Sequence, residues 1–149
     1  MKDLLNDIED RLLWNGADYR TILPATETGG AMSIVDAIHE PGTGPGRHIH
    51  TAHDEIFVVL KGRLRFAVGD ATIERGPGGA VFVPRGTDHT FQVLGSETAR
   101  FLTIFTPPGF EGFLDAWIGN RWRMPEDMAV VSEAAERAGL VFTGPPIAA

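Results

Sequence analysis

The chain has 149 residues with 13 Lys or Arg against 20 Asp or Glu, and its formal net charge of −7 argues against a nucleic-acid-binding surface or adhesion to anionic membranes. It contains no cysteine, which excludes disulfides and thiolate ligands, so a metal would have to be bound by nitrogen and oxygen atoms. No apolar run approaches the roughly 20 residues that a membrane span needs, and residues 1–10 lack the apolar core of a signal peptide, so we expect one cytoplasmic domain over residues 1–149.

The amino-terminal segment predicts a short helix that would lie over the core or in a dimer contact. Its apolar side chains recur at helical spacing, while the acidic residues lie off that stripe. The stripe consists of Leu4, Leu5, Ile8 and Leu12.

Residues 30–106 are predicted to be β-structure, because short apolar runs alternate with turns rich in Gly, Pro and Asp. Residues 61–62 and 69–70 are typical of hairpin turns. Many short strands at close spacing favour a barrel or a double-sheet sandwich. The predicted strands are Ala31–His39, Arg47–His50, Glu55–Leu60, Arg63–Val68, Ala71–Arg75, Ala80–Val83, Thr90–Leu94 and Arg100–Thr106.

Two helices are predicted after the β-region, packed on the outside of the barrel. The first has apolar residues at helical spacing and would end at Gly119. The second would begin near Pro125 and end before Gly139, and residues 144–146 are expected to be extended. The apolar stripe of the first helix is Phe110, Phe113, Leu114, Trp117 and Ile118.

Four of the five histidines of the chain lie in or beside two short motifs, which predicts a metal site. His48 and His50 are two residues apart, so both side chains leave the same face of a strand. Asp54 competes with Glu55 as the carboxylate ligand, and the spacing to Gly62 favours Glu55. Three imidazoles and one carboxylate would leave about two positions open on an octahedral ion. The motifs are Gly42-x5-His48-x-His50-x4-Glu55-x6-Gly62 and Gly78-x5-Pro84-x-Gly86-x2-His89.

Two histidines stand outside the predicted ligand set. His39 lies on a predicted strand and is assigned a structural role. His53 falls between His50 and Glu55, where it could donate a hydrogen bond to a ligand, act as a proton shuttle or be an exposed turn residue, of which the last is favoured.

Both motifs resemble those of the cupin family. The segment GTGPGRHIHTAHDEIFVVLKG is similar to the first cupin motif and GGAVFVPRGTDH to the second, and 15 residues separate them. The flanking segments ETGGA, TPPGFEGF and GPP resemble small bacterial quercetin-dioxygenase-like cupins of the cupin 2 subgroup. The resemblance implies a mainly β fold, a double-stranded β-helix or jelly-roll barrel with short helices outside, and a homodimer.

The resemblance also implies one divalent transition metal per chain, which would be Fe, Mn, Ni or Zn. By position, the ligands of the family fall on His48, His50, Glu55 and His89. An Asn that is usual in the second motif is replaced here by Val93, which makes the predicted pocket more apolar.

Strand alternation from Glu55 and His89 predicts an apolar pocket beside the metal. Aromatic side chains there would suit a ring-bearing substrate. Arg47 and Arg85 stand beside the ligand segments and could bind a carboxylate or an enolate. The predicted pocket residues are Phe57, Phe66, Phe91 and Val93.

The favoured interpretation is a metal-dependent dioxygenase-type enzyme that acts on a small aromatic or enol-containing compound, with Glu55 as catalytic base. One alternative is a non-oxidative isomerase, decarboxylase or cyclase, in which the metal acts as a Lewis acid. Another is a cupin that binds a small ligand without turning it over.

Overall fold

The described chain is an antiparallel β-barrel followed by two helices and a final strand. The computed structural model describes residue 11 and residues 13–148, so the predicted amino-terminal helix lies outside the described residues. The elements are β1 (Ala17–Leu23), β2 (Ser33–His39), β3 (Arg47–His50), β4 (Asp54–Lys61), β5 (Arg63–Val68), β6 (Ala71–Arg75), β7 (Ala80–Val83), β8 (His89–Leu94), β9 (Ala99–Thr106), α1 (Glu111–Asn120), α2 (Met128–Arg137) and β10 (Leu140–Gly144).

The strands form two five-stranded sheets, which confirms the mainly β jelly-roll prediction. The order is β1-β2-β9-β4-β7 in the first sheet and β10-β3-β8-β5-β6 in the second. The predicted β-region of residues 30–106 was too short, since β1 and β10 are edge strands of the two sheets. In β1 the inward positions carry Ala17, Tyr19 and Thr21, and the charged residues between them weaken the apolar signal.

Alternation along the strands directs one face of each sheet into the barrel. In β4, Glu55, Phe57 and Val59 are buried, while the residues between them are half-buried on the other face. The β5–β6 connection is the hairpin predicted at residues 69–70. The hairpin predicted at residues 61–62 is wrong, because β4 and β5 belong to different sheets and this turn carries the chain from one sheet to the other. Gly62 adopts a φ of 79° in the β4–β5 turn, a conformation that glycine reaches without strain.

The two helices pack on the strands that close the barrel. Phe113 of α1 and Val131 and Ala135 of α2 are buried in a cluster with Phe105 and Leu140. Among the described residues, no helix is long and apolar enough to cross a membrane.

The prediction that Gly119 ends the first helix is wrong. Helix α1 continues through Gly119 to Asn120, and Arg121 turns the chain in a left-handed conformation with a φ of 51°. The backbone N–H of Arg121 donates to the carbonyl of Ile118, which satisfies the helix end without a glycine.

Four charged side chains form a buried network on the outer side of the first sheet. Asp36 accepts hydrogen bonds from Arg11 Nη1 at 2.7 Å and from Arg100 Nη2 at 2.8 Å. Arg11 Nε also donates to Asp18 Oδ2 at 2.5 Å. All four side chains are buried, and the network therefore ties the segment before β1 to β2 and β9.

Candidate metal centre

Three strands bring the four predicted ligands to one point inside the barrel. His48 and His50 lie on β3, Glu55 on β4 and His89 at the start of β8. His48 is the register partner of His89 across the β3–β8 pair. One candidate ligand atom from each residue lies within 4.8 Å of the others, and all four side chains are buried.

Backbone carbonyls set the tautomers of two of the histidines. His48 Nδ1 lies 2.7 Å from the carbonyl oxygen of Gly46, and His89 Nδ1 lies 2.9 Å from that of Thr87. A carbonyl only accepts, so each Nδ1 carries the proton and donates it. In its neutral form each ring then keeps a lone pair on Nε2, as in metal-binding histidines held by an outer hydrogen bond.

Glu55 lies between the other donor atoms of the cluster. Its Oε2 is 3.0 Å from His50 Nε2 and 2.9 Å from His89 Nε2. Neither ring nitrogen of buried His50 meets hydrogen-bond geometry with any of the described residues, even though Nε2 is this close to the carboxylate. A buried nitrogen of this kind costs free energy unless a cation or proton satisfies it.

The surroundings set the protonation states of the ligands. Burial, with help from the neighbouring His89 and His50, lowers the pKa of His48 to about 3, so this ring is neutral. Burial by itself raises the pKa of Glu55, but the nearby rings of His50 and His89, the second of which is hydrogen-bonded to the carboxylate, outweigh it and hold that pKa below its usual value. Glu55 is therefore an anion. Burial alone lowers the pKa of His89, but the hydrogen bond and the charge of Glu55 outweigh it and raise that pKa, so this ring favours its protonated form, and a bound metal would take the place of that proton.

This donor set fits a divalent transition metal. It offers three imidazole nitrogens and one carboxylate oxygen, which Fe, Mn, Ni and Zn all accept. An ion at the centre would satisfy the His50 nitrogen and the facing lone pairs of Glu55 and His89 together.

Charged residues next to the ligands point away from the centre. Asp54 accepts hydrogen bonds from the backbone N–H and Nε of Arg85, at 2.9 and 3.1 Å. Arg47 pairs with Asp88 at 3.1 Å. Asp54 is thus outside the four-residue cluster, and neither arginine lines the cavity described below.

His53 is buried rather than exposed. Its Nδ1 lies 2.7 Å from the carbonyl oxygen of Pro107 and its Nε2 lies 3.3 Å from that of Ala138. Both partners are backbone atoms, so His53 joins the end of α2 to the loop after β9 and contacts no ligand atom through a hydrogen bond.

A cavity of about 740 Å³ opens from the metal ligands into the barrel and runs beneath the two helices. Phe57 and Phe91 line it, whereas Phe66 and Val93 are buried in the core and are not part of the wall. Phe66 does not reach the cavity because its ring packs behind those of Phe57 and Phe91, at centroid distances of 5.0 and 6.2 Å.

Sequence reasoning missed most of this cavity. The wall residues that were not predicted lie on β1, before β3 and in the helical region. The one sequence pattern that indicated them was the aromatic stripe of the first predicted helix. These wall residues include Trp14, Tyr19, His39, Thr43, Phe101, Phe105, Phe110, Phe113, Trp117, Met128 and Phe142.

Comparison with known proteins assigns the class. Residues 36–105 match the family model described as Cupin domain. An uncharacterized protein of Streptomyces coelicolor is 32% identical over 104 residues, which are 70% of this chain and 93% of that protein. The chain belongs to the cupin family.

Two further relatives carry named activities. Quercetin 2,3-dioxygenase of Bacillus subtilis is 28% identical over 70% of this chain, which spans only 31% of that enzyme. The solved structure of the polyketide cyclase RemF from Streptomyces resistomycificus is similar with a TM-score of 0.55 and 25% identity, over 63% of this chain and 67% of that one.

Proposed function

We propose that this cupin is a metal-dependent oxygenase for a small aromatic or enol-containing compound. The observation that carries the proposal is that three residues of the buried four-ligand cluster, His48, His50 and Glu55, line a 740 Å³ cavity walled mainly by aromatic and aliphatic side chains. Such a cavity binds an apolar ring, and the open coordination positions would receive its adjacent oxygens. The similarity to a quercetin dioxygenase supports this substrate class.

A bound divalent ion would supply Lewis acidity, and Fe, Mn or Ni would also supply redox chemistry. The protein residues position and deprotonate the substrate. Glu55 is the single carboxylate among the described residues that line the cavity, so we assign it the role of base for a substrate hydroxyl. The aromatic walls orient the ring and exclude water around it.

A non-oxidative reaction is the second candidate, and the similarity to a polyketide cyclase favours it. A cyclisation, isomerisation or decarboxylation through an enolate needs the same chelation and the same base, but no oxygen. Zinc would then be sufficient.

Oxygen uptake separates the two candidates. The protein is loaded with Fe(II), Mn(II), Ni(II) or Zn(II) and offered flavonols, catechols and β-diketones in an oxygen electrode. We expect substrate loss matched by oxygen consumption with at least one redox-active metal, and none with zinc, which serves as the matched control. Turnover by the zinc form under strict anaerobiosis would replace the oxygenase by Lewis-acid chemistry. Absence of turnover in every form would contradict both.

We also propose that the protein is a homodimer that pairs through the outer face of the first sheet. The strand register places Ile34, Ile104, Ile56 and Phe82 in one row across β2, β9, β4 and β7. Phe82, on the edge strand, is 58% exposed. A row of apolar side chains on a sheet face is typical of an interface.

Light scattering tests this dimer. We expect a mass of twice the 16.1 kDa of one chain, and Phe82→Lys should reduce it to that of one chain because a charge would be buried at the interface. Val141→Lys is the matched control, since Val141 is 48% exposed on the edge of the other sheet. A monomeric wild-type protein would refute the dimer.

A further inference from the structure

A polar pair lies in the cavity wall apart from the metal ligands. Tyr19 on β1 and His39 on β2 both line the cavity. The Tyr19 hydroxyl oxygen is 2.7 Å from His39 Nε2, and His39 Nδ1 is 3.2 Å from Thr43 Oγ1. Among the described hydrogen bonds, none joins this pair to a metal ligand. The pair is therefore not explained by the metal site.

The hydroxyl of Thr43 determines which atom donates in each of these hydrogen bonds. Thr43 Oγ1 lies 2.7 Å from the carbonyl oxygen of Glu40, which only accepts, so the threonine proton is given to that carbonyl. Thr43 can therefore only accept from His39, and His39 carries its proton on Nδ1. Burial lowers the pKa of His39 to about 3, which keeps the ring neutral. Its Nε2 is thus an acceptor, and Tyr19 is the donor.

This arrangement leaves Tyr19 with a defined capacity toward a ligand. Its one proton is committed to His39, so its oxygen can only accept a further hydrogen bond. Burial first, and then the charges of Glu55 and Asp18, raise the pKa of Tyr19, so the hydroxyl stays protonated. The partner that suits it is a hydroxyl or N–H donor on the bound molecule.

Aromatic rings connect this pair to the metal ligands. Tyr19 and His39 have ring centroids 5.4 Å apart, His39 and Phe91 5.0 Å, and Phe91 and Phe57 5.8 Å. Phe57 is in turn 6.5 Å from the ring of His89. We expect a flat aromatic molecule to pack along this row, with one edge toward the ligands and the other toward Tyr19.

Charge in the cavity restricts the molecule further. None of the described residues that line the cavity is lysine or arginine, and Glu55 is negative. A phosphate or carboxylate away from the metal would therefore be buried without a counter-charge, which is strongly unfavourable. The ligand should be uncharged over the length of the row.

We propose that Tyr19, oriented by His39 and Thr43, determines specificity for a neutral, planar aromatic substrate that carries a phenolic hydroxyl on the ring remote from the metal. The proposal rests on the proposed function, which supplies the assumption that the other end of the substrate binds the metal. It concerns binding, so it can be tested in a protein that does not turn the ligand over.

The test uses three flavonols with one frame that differ at a single far-ring position: galangin carries hydrogen there, kaempferol a hydroxyl and kaempferide a methoxyl group. Zinc-loaded protein is titrated without oxygen, and quenching of Trp14 and Trp117, which line the cavity, reports binding. We expect wild-type protein to bind kaempferol about five- to tenfold more tightly than the other two, the effect of one net hydrogen bond. In Tyr19→Phe the three affinities should fall within about twofold of each other, with that for galangin unchanged.

Equal weakening of all three ligands by Tyr19→Phe, or no preference for kaempferol in the wild-type protein, would overturn the proposal. The proposal would also be overturned if none of the three flavonols bound. Because Tyr19 is the single tyrosine of the chain, carbon-labelled tyrosine gives a second measurement that needs no variant: its NMR signal should shift with kaempferol more than with galangin. Oxygen uptake by the Fe, Mn or Ni form is independent of these results, so the two proposals can fail separately.

Discussion

Glu55→Gln is expected to abolish stoichiometric metal binding while the barrel stays folded. The carboxylate is the one anion in the four-residue cluster, and its Oε2 lies 3.0 and 2.9 Å from the ring nitrogens of His50 and His89. A neutral amide of the same shape loses the charge that compensates the cation. We expect metal affinity to fall by at least about 100-fold, since even changes to groups that only support a ligand cost 10- to 100-fold. Elemental analysis after dialysis should show that the metal content falls from about one equivalent per chain in the wild-type protein to near zero in the variant.

Melting temperature gives an independent reading of the same site. A metal at about 100 times its dissociation constant stabilises the folded protein by about 2.7 kcal/mol. For a chain of this size that corresponds to a rise of roughly 5–10 °C. The wild-type protein should show this rise on addition of Mn(II) or Ni(II), and Glu55→Gln should not. An unchanged rise in the variant would mean that the metal is bound elsewhere.

Asp54→Asn is the matched control for this experiment. Asp54 is the adjacent residue on β4, undergoes the same carboxylate-to-amide change, and faces Arg85 on the outside of the barrel. It should retain one equivalent of metal and the full metal-induced rise in melting temperature. Loss of metal from Asp54→Asn rather than from Glu55→Gln would reverse the assignment of the carboxylate ligand.

Three of the four ligands could be predicted from sequence because their information is local, whereas His89, 34 residues from Glu55, was assigned through the resemblance of its segment to the second cupin motif. His48 and His50 share a strand face through the period of two, and the spacing of Glu55 puts it on the inward face of the next strand. The choice of Glu55 over Asp54 depended on one residue of register. That register is fixed by the alternation of buried Phe57 and Val59 behind it.

The cavity could not be predicted because its walls meet only through long-range packing. Tyr19 and His39 are 20 residues apart and become neighbours through the β1–β2 pairing. Strand β1 was missed because charged Asp18 and Arg20 interrupt its apolar signal, although Asp18 is buried by its ion pair with Arg11. Phe66 satisfies the same alternation rule as Phe57, yet packs one layer deeper.

The second large effect is expected from Asp36→Asn, which should destabilise the protein by about 3–5 kcal/mol, as when one partner of a buried ion pair is removed. Asp36 accepts from both Arg11 and Arg100, and all three side chains are at most 5% exposed. The amide keeps the shape but leaves two buried guanidinium groups without this anion. Thermal unfolding should show a melting temperature lower by roughly 10 °C.

Glu74→Gln supplies the matched comparison, because Glu74 also pairs with two arginines, Arg63 and Arg65, but at the surface. Exposed ion pairs contribute about 0–1 kcal/mol, so this variant should melt within a few degrees of the wild-type protein. Asp36 lies on the face of β2 opposite the cavity, between inward Val35 and Ala37. Below its melting temperature Asp36→Asn should therefore still bind one equivalent of metal. Equal melting temperatures for the two variants would show that the buried network contributes no more than a surface pair, and the segment before β1 would then have to be held in place by its apolar contacts.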